Sequence, residues 1–273
     1  AATRFFALPN ARLAAFNGGE PSARSHVAAA LALDAASSDP GKSAPYGRFH
    51  RMHGPGLELI VDVGAAARGP WAASACAQTG AIEVACDGRW RLIVGSAASA
   101  KAPPGESVRG PRGGSCLALG DSRPDPEEDV AVDRQESEDA VWLDLSHDGW
   151  RREFGLSCTR RLYLDHSAGE LRGEDAINPS GRARRGAASF EVRFHLALGV
   201  AASIASDGKS ALLRPAGGSG WRLRSDAELR LEPGAIFEEG APRTVEVLVM
   251  AGTVSLIKGA RIRWKLSRDE ARE

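Results

Sequence analysis

The sequence lacks paired cysteines, long apolar runs and an excess of charge of either sign. Its 273 residues include four cysteines, and no two of them form the Cys-x-x-Cys pair of a zinc ribbon or redox motif. Their spacing indicates buried free thiols, and a disulfide is the alternative if the protein is exported. No apolar run approaches the roughly 20 residues of a membrane span. Thirty-five basic and thirty-five acidic residues cancel, so the composition favours neither nucleic-acid binding nor membrane insertion.

Motifs of several enzyme classes are also missing. The Gly-Lys-Ser triplets at 41–43 and 208–210 have no glycine five residues earlier and open no predicted helix, so neither indicates a phosphate loop. Ser115 follows two glycines but lacks the trailing glycine of a nucleophile elbow. The absence of a repeat of fixed period disfavours a propeller.

Alternation of apolar and polar residues is the strongest pattern present. It runs through 141–146, 160–165, 171–175 and 190–196, and Asp-Gly or Ala-Gly dipeptides separate several of the pieces. Such a pattern predicts antiparallel strands with one buried face. Further short segments at hairpin spacing extend from 57 to 266. The sequence therefore predicts an all-β fold, a large antiparallel β-sandwich of the supersandwich type.

One short helix and two long connections complete the expected architecture. The alanine-rich segment 26–34 predicts an N-terminal helix, with Ser25 as its N-cap. The Pro/Gly/Arg-rich segment 97–114 and the acidic segment 120–139 are expected to be solvated loops.

The six histidines form neither an HExxH motif nor a short His-x-His pair. His147 and His166 fall at predicted turns, where exposure is the usual outcome. His195 shares a strand face with Glu191 and Arg193. That arrangement is typical of an exposed polar face, and a contact with a sugar acid is the alternative.

Basic and aromatic side chains offer two weaker signals. Arg48, His50, Arg51 and His53 form a small basic cluster that could meet a carboxylate or sulfate, or simply be a solvated loop. Four tryptophans have the spacing of core or half-buried strand residues, with a sugar-stacking platform as the alternative. They are Trp142, Trp150, Trp221 and Trp264.

An ordered set of segments resembles one protein family, although each segment alone is weakly specific. The segments are 12–18, 74–77 with 82–83, 91–94, 146–150, 160–164, 171–175, 193–196 and 220–222. Together they resemble the C-terminal β-sandwich domain of the heparinase II/III-like polysaccharide lyases.

The resemblance implies an architecture and a reaction. An α/α toroid precedes the sandwich in such lyases, and the polysaccharide cleft lies between the two. The reaction is β-elimination at a uronic acid, for which a base removes the C5 proton and the toroid supplies most of the machinery. On this basis residues 1–36 are expected to join an absent toroid, and residues 37–273 to form the sandwich domain. Export to the periplasm or cell envelope is the family expectation.

The sequence departs from the family at its metal and histidine positions. Family members often hold a structural zinc in the sandwich, and its three ligand positions fall at Cys76, Gly95 and Gly114. Glycine offers no side-chain ligand, so neither zinc nor another cofactor is expected. The position of the sandwich's catalytic histidine falls at Ser74, which cannot relay a proton near neutral pH. We therefore expect no lyase activity from this chain alone.

Two hypotheses of function remain open. The chain is either the sandwich of a lyase that contacts an acidic polysaccharide, or a non-catalytic carbohydrate-binding or structural module that has degenerated from that family. Under the first hypothesis the resemblance places Arg48, His50 and Gln78 near the cleft, as candidate substrate contacts.

Overall fold

A computed structural model describes residues 2–21, 23–34, 39–73, 75–99, 107–126, 128–182 and 184–269. Three helices are present in this part of the chain: α1 (Ala2–Phe6), α2 (Arg24–Leu33) and α3 (Arg151–Phe154). The predicted N-terminal helix is therefore confirmed, but the predicted cap is wrong. Ser25 lies inside α2, which follows Ala23 without a capping side chain. No helix of the described ranges is both long and apolar enough to span a bilayer.

Strands dominate the structure, as the alternation predicts. In chain order they are β1 (Ser43–Ala44), β2 (Phe49–Gly54), β3 (Leu57–Asp62), β4 (Ile82–Cys86), β5 (Trp90–Val94), β6 (Leu117–Leu119), β7 (Val130–Glu136), β8 (Ala140–Trp150), β9 (Leu156–Asp165), β10 (Glu170–Pro179), β11 (Ala187–Leu196), β12 (Val200–Ile204), β13 (Ser210–Pro215), β14 (Trp221–Ser225), β15 (Leu229–Glu238), β16 (Ala241–Ser255) and β17 (Ala260–Arg268).

The strands form two antiparallel sheets. The nine-stranded sheet has the order β1-β2-β3-β4-β5-β11-β16-β15, and β6 also pairs with β11. The eight-stranded sheet has the order β12-β13-β14-β17-β10-β9-β8-β7. The predicted fold class, a large antiparallel β-sandwich with a short N-terminal helix, is confirmed.

The main core lies between the two sheets. Phe194 of β11 and Trp264 of β17 meet edge to face, with ring centroids 4.9 Å apart, and this contact joins the sheets. Around it lie fully buried side chains such as Leu59, Ile93 and Trp221. Each large apolar side chain that is buried in this way stabilises the fold by about 1.5–3 kcal/mol.

A buried ion pair ties the layers together inside this core. The Arg160 guanidinium binds Asp175 with an Nε–Oδ1 distance of 2.6 Å, and both side chains lie on the eight-stranded sheet. Arg160 Nη1 also donates to the carbonyl oxygens of Gly80, at 2.7 Å, and Ser115, at 3.1 Å. These carbonyls belong to loops beside the nine-stranded sheet, so one arginine links the two halves of the sandwich.

A second, smaller core covers the outer face of the nine-stranded sheet. The N-terminal segment 2–16 packs there, and its Phe5 and Phe16 contact a cluster that includes Phe49 and Ile60 of the sheet. This segment is part of residues 1–36, which are the predicted link to a toroid domain. The predicted domain boundary at 36/37 falls in residues 35–38, which lie outside the described ranges.

Two buried ion pairs hold the N-terminal segment in place. Arg51 pairs with Glu58 and donates to the carbonyl oxygens of α1 and its C-terminal flank. Glu83 pairs with Arg91 at 2.7 Å, and its Oε2 accepts a hydrogen bond from the backbone N–H of Ala15 at 2.7 Å. Much of the outer face of β2 to β5 is consequently covered by this segment, which the alternation alone does not predict.

Three local predictions of solvated or exposed structure are wrong, because residues of each segment are buried. Within the acidic segment 120–139, Val130 and Val132 turn inward and the chain forms the edge strand β7. Residues 110, 111, 113 and 114 of the predicted solvated connection are buried. His147, predicted at an exposed turn, lies inside β8 and is buried.

Candidate functional site

The three positions that the family resemblance assigns to zinc ligands lie close together in space. Residues 95–97 run beside 113–115, because Ser115 N–H donates to the Gly95 carbonyl oxygen at 2.9 Å and Ser96 forms a β-bridge with Gly114. The Ser96 side chain hydrogen-bonds with Cys76. Cys76, Gly95 and Gly114 are therefore close enough to one another to line a single pocket.

Neighbouring side chains fill the space beside both glycines. A Cβ atom at Gly95 would overlap the ring of Phe16, which comes from the N-terminal segment. A Cβ atom at Gly114 would lie 2.9 Å from the Gln78 side chain. The volume that ligand side chains would need is thus occupied by an aromatic ring and an amide.

Hydrogen bonds from two side chains hold the loops of this region together. Gln78 Nε2 donates to the carbonyl oxygens of Val108, at 2.8 Å, and Gly110, at 3.2 Å. Arg109, between them, is buried, and its Nη2 donates to the Ser99 carbonyl oxygen at 3.1 Å. The 108–110 turn is therefore fixed by the Gln78 amide, which reaches it from the protein interior, and by the Arg109 side chain, which extends from the turn to Ser99.

The donor set of this region does not fit a metal ion. Burial raises the pKa of the Cys76 thiol, although Arg109 and Ser96 partly offset the rise, so the sulfur is protonated near neutral pH. Among the residues that the structure describes, no three His, Cys, Asp or Glu side chains are grouped to hold an ion. Ser74, at the family's histidine position, lies outside the described residues.

Two of the three predicted substrate contacts lie in one cluster. Arg48 is exposed and its Nη2 donates to the Val130 carbonyl oxygen at 2.6 Å. His50 Nδ1 lies 3.4 Å from Nη1 of Arg134, whose guanidinium also pairs with Glu136. Burial, followed by the charges of Arg134 and Arg48, lowers the pKa of His50. We call Arg48, His50 and Arg134 the basic corner.

The third predicted contact, Gln78, has a different environment. Only 3% of its surface is exposed, and its amide nitrogen is engaged by the 108–110 turn. The structure therefore places Gln78 inside the protein, where it positions a loop.

His195 is buried, in contrast to the exposed polar face that its strand pattern predicts. Burial and the charge of Arg193 lower the pKa of His195 to about 3. Burial similarly lowers the pKa of His147 to about 4, and its Nδ1 accepts from the Gly149 N–H. Both imidazoles are neutral at physiological pH and shielded from solvent, so neither has the access or the pKa of a general base.

The charged neighbours of His195 satisfy one another. Glu191 binds Arg112 at 2.8 Å, Arg193 at 2.7 Å and Arg230 at 2.8 Å. Burial opposes its ionisation, but hydrogen bonds from Arg112 and Arg193 outweigh this and lower the pKa of Glu191 to about 2. The network leaves little unsatisfied charge for an anionic ligand.

Sequence reasoning missed three residues that define these regions. Phe16 and Arg109 carry no local signal, because their roles depend on contacts with distant segments. Arg134 lies in the misassigned acidic segment, where the alternation of Val130 and Val132 could have indicated a strand.

Comparison with known proteins identifies the family. Residues 36–265 match the family described as Heparinase II/III-like, C-terminal. The chain belongs to this heparinase II/III-like family. The resemblance inferred from the sequence is therefore confirmed.

Proteins similar to this heparinase II/III-like chain have different functions in their names. It is 38% identical over 293 residues to the FtsZ-localized protein C of Caulobacter vibrioides, covering 98% of the chain and 50% of that protein. A Heparinase III structure matches 97% of the chain with a TM-score of 0.78 and 11% identity. The heparan sulfate lyase HepC from Pedobacter heparinus matches 98% with a TM-score of 0.79 and 11% identity.

The structural matches show the shared fold at this low identity. The chain spans 45% of each of the two lyases and 50% of the Caulobacter protein, which is about half the length of these relatives.

Proposed function

We propose that this domain is a non-catalytic binding module that descends from a polysaccharide lyase. The observation that carries the proposal is the filled pocket: Phe16 and Gln78 occupy the space beside the two glycines at former ligand positions. A ligand pocket needs an open cavity and convergent polar groups. Beside Gly95 and Gly114, which the family resemblance assigns to zinc ligands, side chains fill the space that such a cavity would need.

The chemistry of β-elimination supports the same proposal. A general base works best with a pKa near the operating pH and must reach the substrate proton. The buried His147 and His195 have pKa values of about 4 and 3. Serine at position 74 cannot substitute for imidazole.

The test is a lyase assay on the full-length protein that contains this domain. β-Elimination creates an unsaturated uronate that absorbs in the near ultraviolet. We expect no absorbance change with heparan-type, alginate-type or pectin-type polysaccharides, with a known lyase as the positive control. Turnover by the full-length protein that is lost in a variant of this domain which still folds would contradict the proposal.

The rival function, a working lyase sandwich, is favoured by the fold shared with Heparinase III and HepC. Under this alternative an upstream α/α toroid joined through residues 1–36 would supply the base. The same assay distinguishes the two functions, because the rival requires turnover by the full-length protein.

We further propose that the basic corner contacts an acidic polysaccharide. Arg48 is exposed, and a guanidinium group can bind a carboxylate with two parallel hydrogen bonds, whereas Arg134 already pairs with Glu136 and adds positive charge behind it. The neutral His50 between them can exchange a further hydrogen bond. Gln78 would contribute indirectly, by fixing the 108–110 turn.

Amide and side-chain chemical shifts during titration with oligouronates test this contact. We expect shifts at Arg48 and His50 at millimolar ligand, and their loss in Arg48→Gln. Exposed Arg243→Gln, on β16, is the matched control. Unchanged shifts at millimolar ligand would remove the proposal.

The Caulobacter relative suggests a cellular setting. Because that protein is named for its localisation to FtsZ, we propose that the protein containing this domain localises likewise. A fluorescent fusion of the full-length protein, imaged with labelled FtsZ, tests this directly. Export to the periplasm or cell envelope is the competing proposal, and fractionation of the same strain separates the two.

A further inference from the structure

A groove of about 640 Å³ crosses the outer face of the eight-stranded sheet. Two rows of side chains, each running across neighbouring strands, line it. The first row, in cross-strand register, is Trp142, Tyr163, Arg172, Lys265 and Arg224. The second row is Asp144, Arg161, Glu174 and Arg263, and Asp226 lies at its end.

We propose that this groove binds an acidic oligosaccharide chain that lies across the strands between Trp142 and Arg224. The groove would take the same class of ligand as the proposed function, but it is a different surface from the basic corner. Arg134 of the basic corner pairs in register with Leu143 of β8, whose side chain faces the core. Trp142 is the neighbour of Leu143 on the same strand, so its side chain faces the opposite side of the sheet.

One end of the groove is an aromatic platform. Trp142 is 39% exposed, and its ring centroid lies 4.9 Å from that of Tyr163. The Arg172 guanidinium covers the Tyr163 ring at 5.4 Å and limits its movement. Exposed aromatic rings of this kind pack against the C–H faces of sugar rings, while their polar tips stay hydrated.

The floor of the groove depends on a missing side chain. A Cβ atom at Gly173 would overlap the indole of Trp264 from the next strand. Because Gly173 has no side chain, the Trp264 indole packs against the backbone of β10 on the core side of the sheet, where it also contacts Phe194. Its Nε1 donates to Asp175 at 3.0 Å, which fixes the ring. The strands beneath the groove are thus held rigidly by this buried contact.

The second row is a self-neutralised ladder. Arg161 binds Asp144 at 3.1 Å and Glu174 at 2.9 Å, and Arg263 binds Glu174 at 2.8 Å. These side chains are held in place before any ligand arrives, which reduces the entropy cost of binding. The ladder offers both donors and acceptors to sugar hydroxyls.

The unpaired positive charge of the groove lies at one end of the first row. The groove is lined by five cationic and three acidic side chains, and two further carboxylates beside it, Asp165 and Glu170, pair with Arg172. Arg172 and Lys265 share the buried Glu170, whereas Arg224 is exposed and forms no ion pair with any described residue. These three cations lie on adjacent strands about 4.8 Å apart. That spacing is close to the length of one sugar ring in an extended chain, so a polyuronate can place successive carboxylates beside them.

The geometry favours a glycan over a peptide. A peptide that adds a strand needs a free sheet edge, and a helix needs a continuous apolar groove. Here the backbone of β9, β10 and β17 is paired on both sides, and charged side chains alternate along the second row. A ligand with flat apolar faces, hydroxyls and regularly spaced carboxylates matches the surface best.

Binding of a short oligogalacturonate to the protein, followed by calorimetry and tryptophan fluorescence, tests the inference. A neutral cello-oligosaccharide of the same length and a polyglutamate peptide are the comparison ligands. We expect Trp142→Ala and Arg224→Gln each to weaken oligogalacturonate binding by about tenfold, from loss of the ring contact and of a charge-assisted hydrogen bond. Exposed Tyr46→Ala and Arg243→Gln should leave the affinity unchanged.

Each possible result of the binding experiment either supports or overturns the proposed groove. Both groove residues are exposed, so unchanged thermal unfolding verifies that the variants fold. Equal affinity for polyglutamate, or wild-type affinity in both groove variants, overturns the inference. If Arg48→Gln abolishes binding while the groove variants retain it, the basic corner is the site and only this inference fails. Absence of oligogalacturonate binding to the wild type overturns the groove, while the lyase assay still decides the non-catalytic proposal.

Discussion

Asp62 is a buried carboxyl group that forms no ion pair with any residue in the described ranges. It lies at the end of β3, where its two oxygens accept hydrogen bonds from Gly64 N–H, at 2.8 Å, and from the Asn17 amide, at 3.4 Å. Burial raises its pKa from 3.8 to about 7, against the opposing effect of these hydrogen bonds. Between these two values the folded protein holds a proton that the unfolded chain has released.

This carboxyl group should make stability fall as pH rises. The folded state binds more protons between pH 3.8 and about 7, so the contribution of Asp62 to the unfolding free energy decreases across that window. We expect Asp62→Asn to raise the melting temperature at pH 8 and to flatten this part of the profile. Denaturant unfolding at several pH values measures it. A wild-type pH profile in the variant would contradict the prediction.

Individual buried polar residues were the least predictable from sequence. The alternation in β11 predicts that the His195 side chain faces away from the main core, and the side chain does so. It is nevertheless buried, because the far-away segments 2–16 and 107–116 cover that side of the sheet. Nothing local to His195 or Gln78 encodes such coverage.

At the level of elements, the N-terminal segment depends on one carboxylate. Glu83 Oε2 accepts from the backbone N–H of Ala15 and of Gly95, while Oε1 pairs with Arg91. Removing one partner of a buried pair leaves an uncompensated charge and costs about 3–5 kcal/mol.

We therefore expect Glu83→Ala to destabilise the protein by about that amount and to release the segment. Hydrogen exchange at the Ala15 amide should accelerate more than exchange in β10. Glu83→Gln keeps an acceptor for the amides and should lose less stability than Glu83→Ala. Equal losses in the two variants would show that only the charge matters.

The packing of strand β10 against β17 depends on the glycine at position 173. Gly173→Ala would place a methyl group where the Trp264 indole packs, and overpacking typically costs 1–3 kcal/mol. We expect a lower melting temperature. Gly47→Ala is the matched control, because its nearest neighbour would be 3.4 Å away. Equal melting temperatures for the two variants would exclude the proposed packing role.

Elements with strict alternation were predicted well, and those without it were not. β9, β10 and β11 follow their apolar spacing closely, because one face of each strand packs in the core. β7 was assigned to a loop, since an edge strand buries only part of its length and tolerates a polar sequence. The 108–110 turn is fixed by tertiary hydrogen bonds, which composition cannot show.

At the scale of the whole molecule, the sandwich should unfold as a unit. Arg160 binds Asp175 and also reaches two carbonyls beside the other sheet. We expect Arg160→Met to lower the unfolding free energy by about 3–5 kcal/mol, since Asp175 loses its buried partner. Replacement of the neighbouring, exposed Arg161 by Met should cost less than about 1 kcal/mol.

Calorimetry provides the measurement, with one transition expected for both sheets. The double variant Arg160→Met, Asp175→Leu should lose less stability than Arg160→Met alone, because no buried charge remains unpaired. Two separate transitions in the wild type would contradict the assignment of one cooperative body.

The architecture as a whole was accessible from sequence through patterning and through the family resemblance. The site was only partly accessible. Glycine at positions 95 and 114, which the family resemblance assigns to metal ligands, was readable directly. The side chains that fill the space beside these glycines were not, since Phe16 reaches the pocket from a segment almost eighty positions away in the chain.

The four buried cysteines make the local opening of this sandwich measurable. All four thiols are free and buried, and burial raises the pKa of each, to about 12 for Cys86 and Cys116. A thiol-alkylating reagent needs the exposed thiolate. The rate of alkylation at each position would therefore time the opening of its surroundings, from the Cys76 pocket to the strands that hold Cys86 and Cys158.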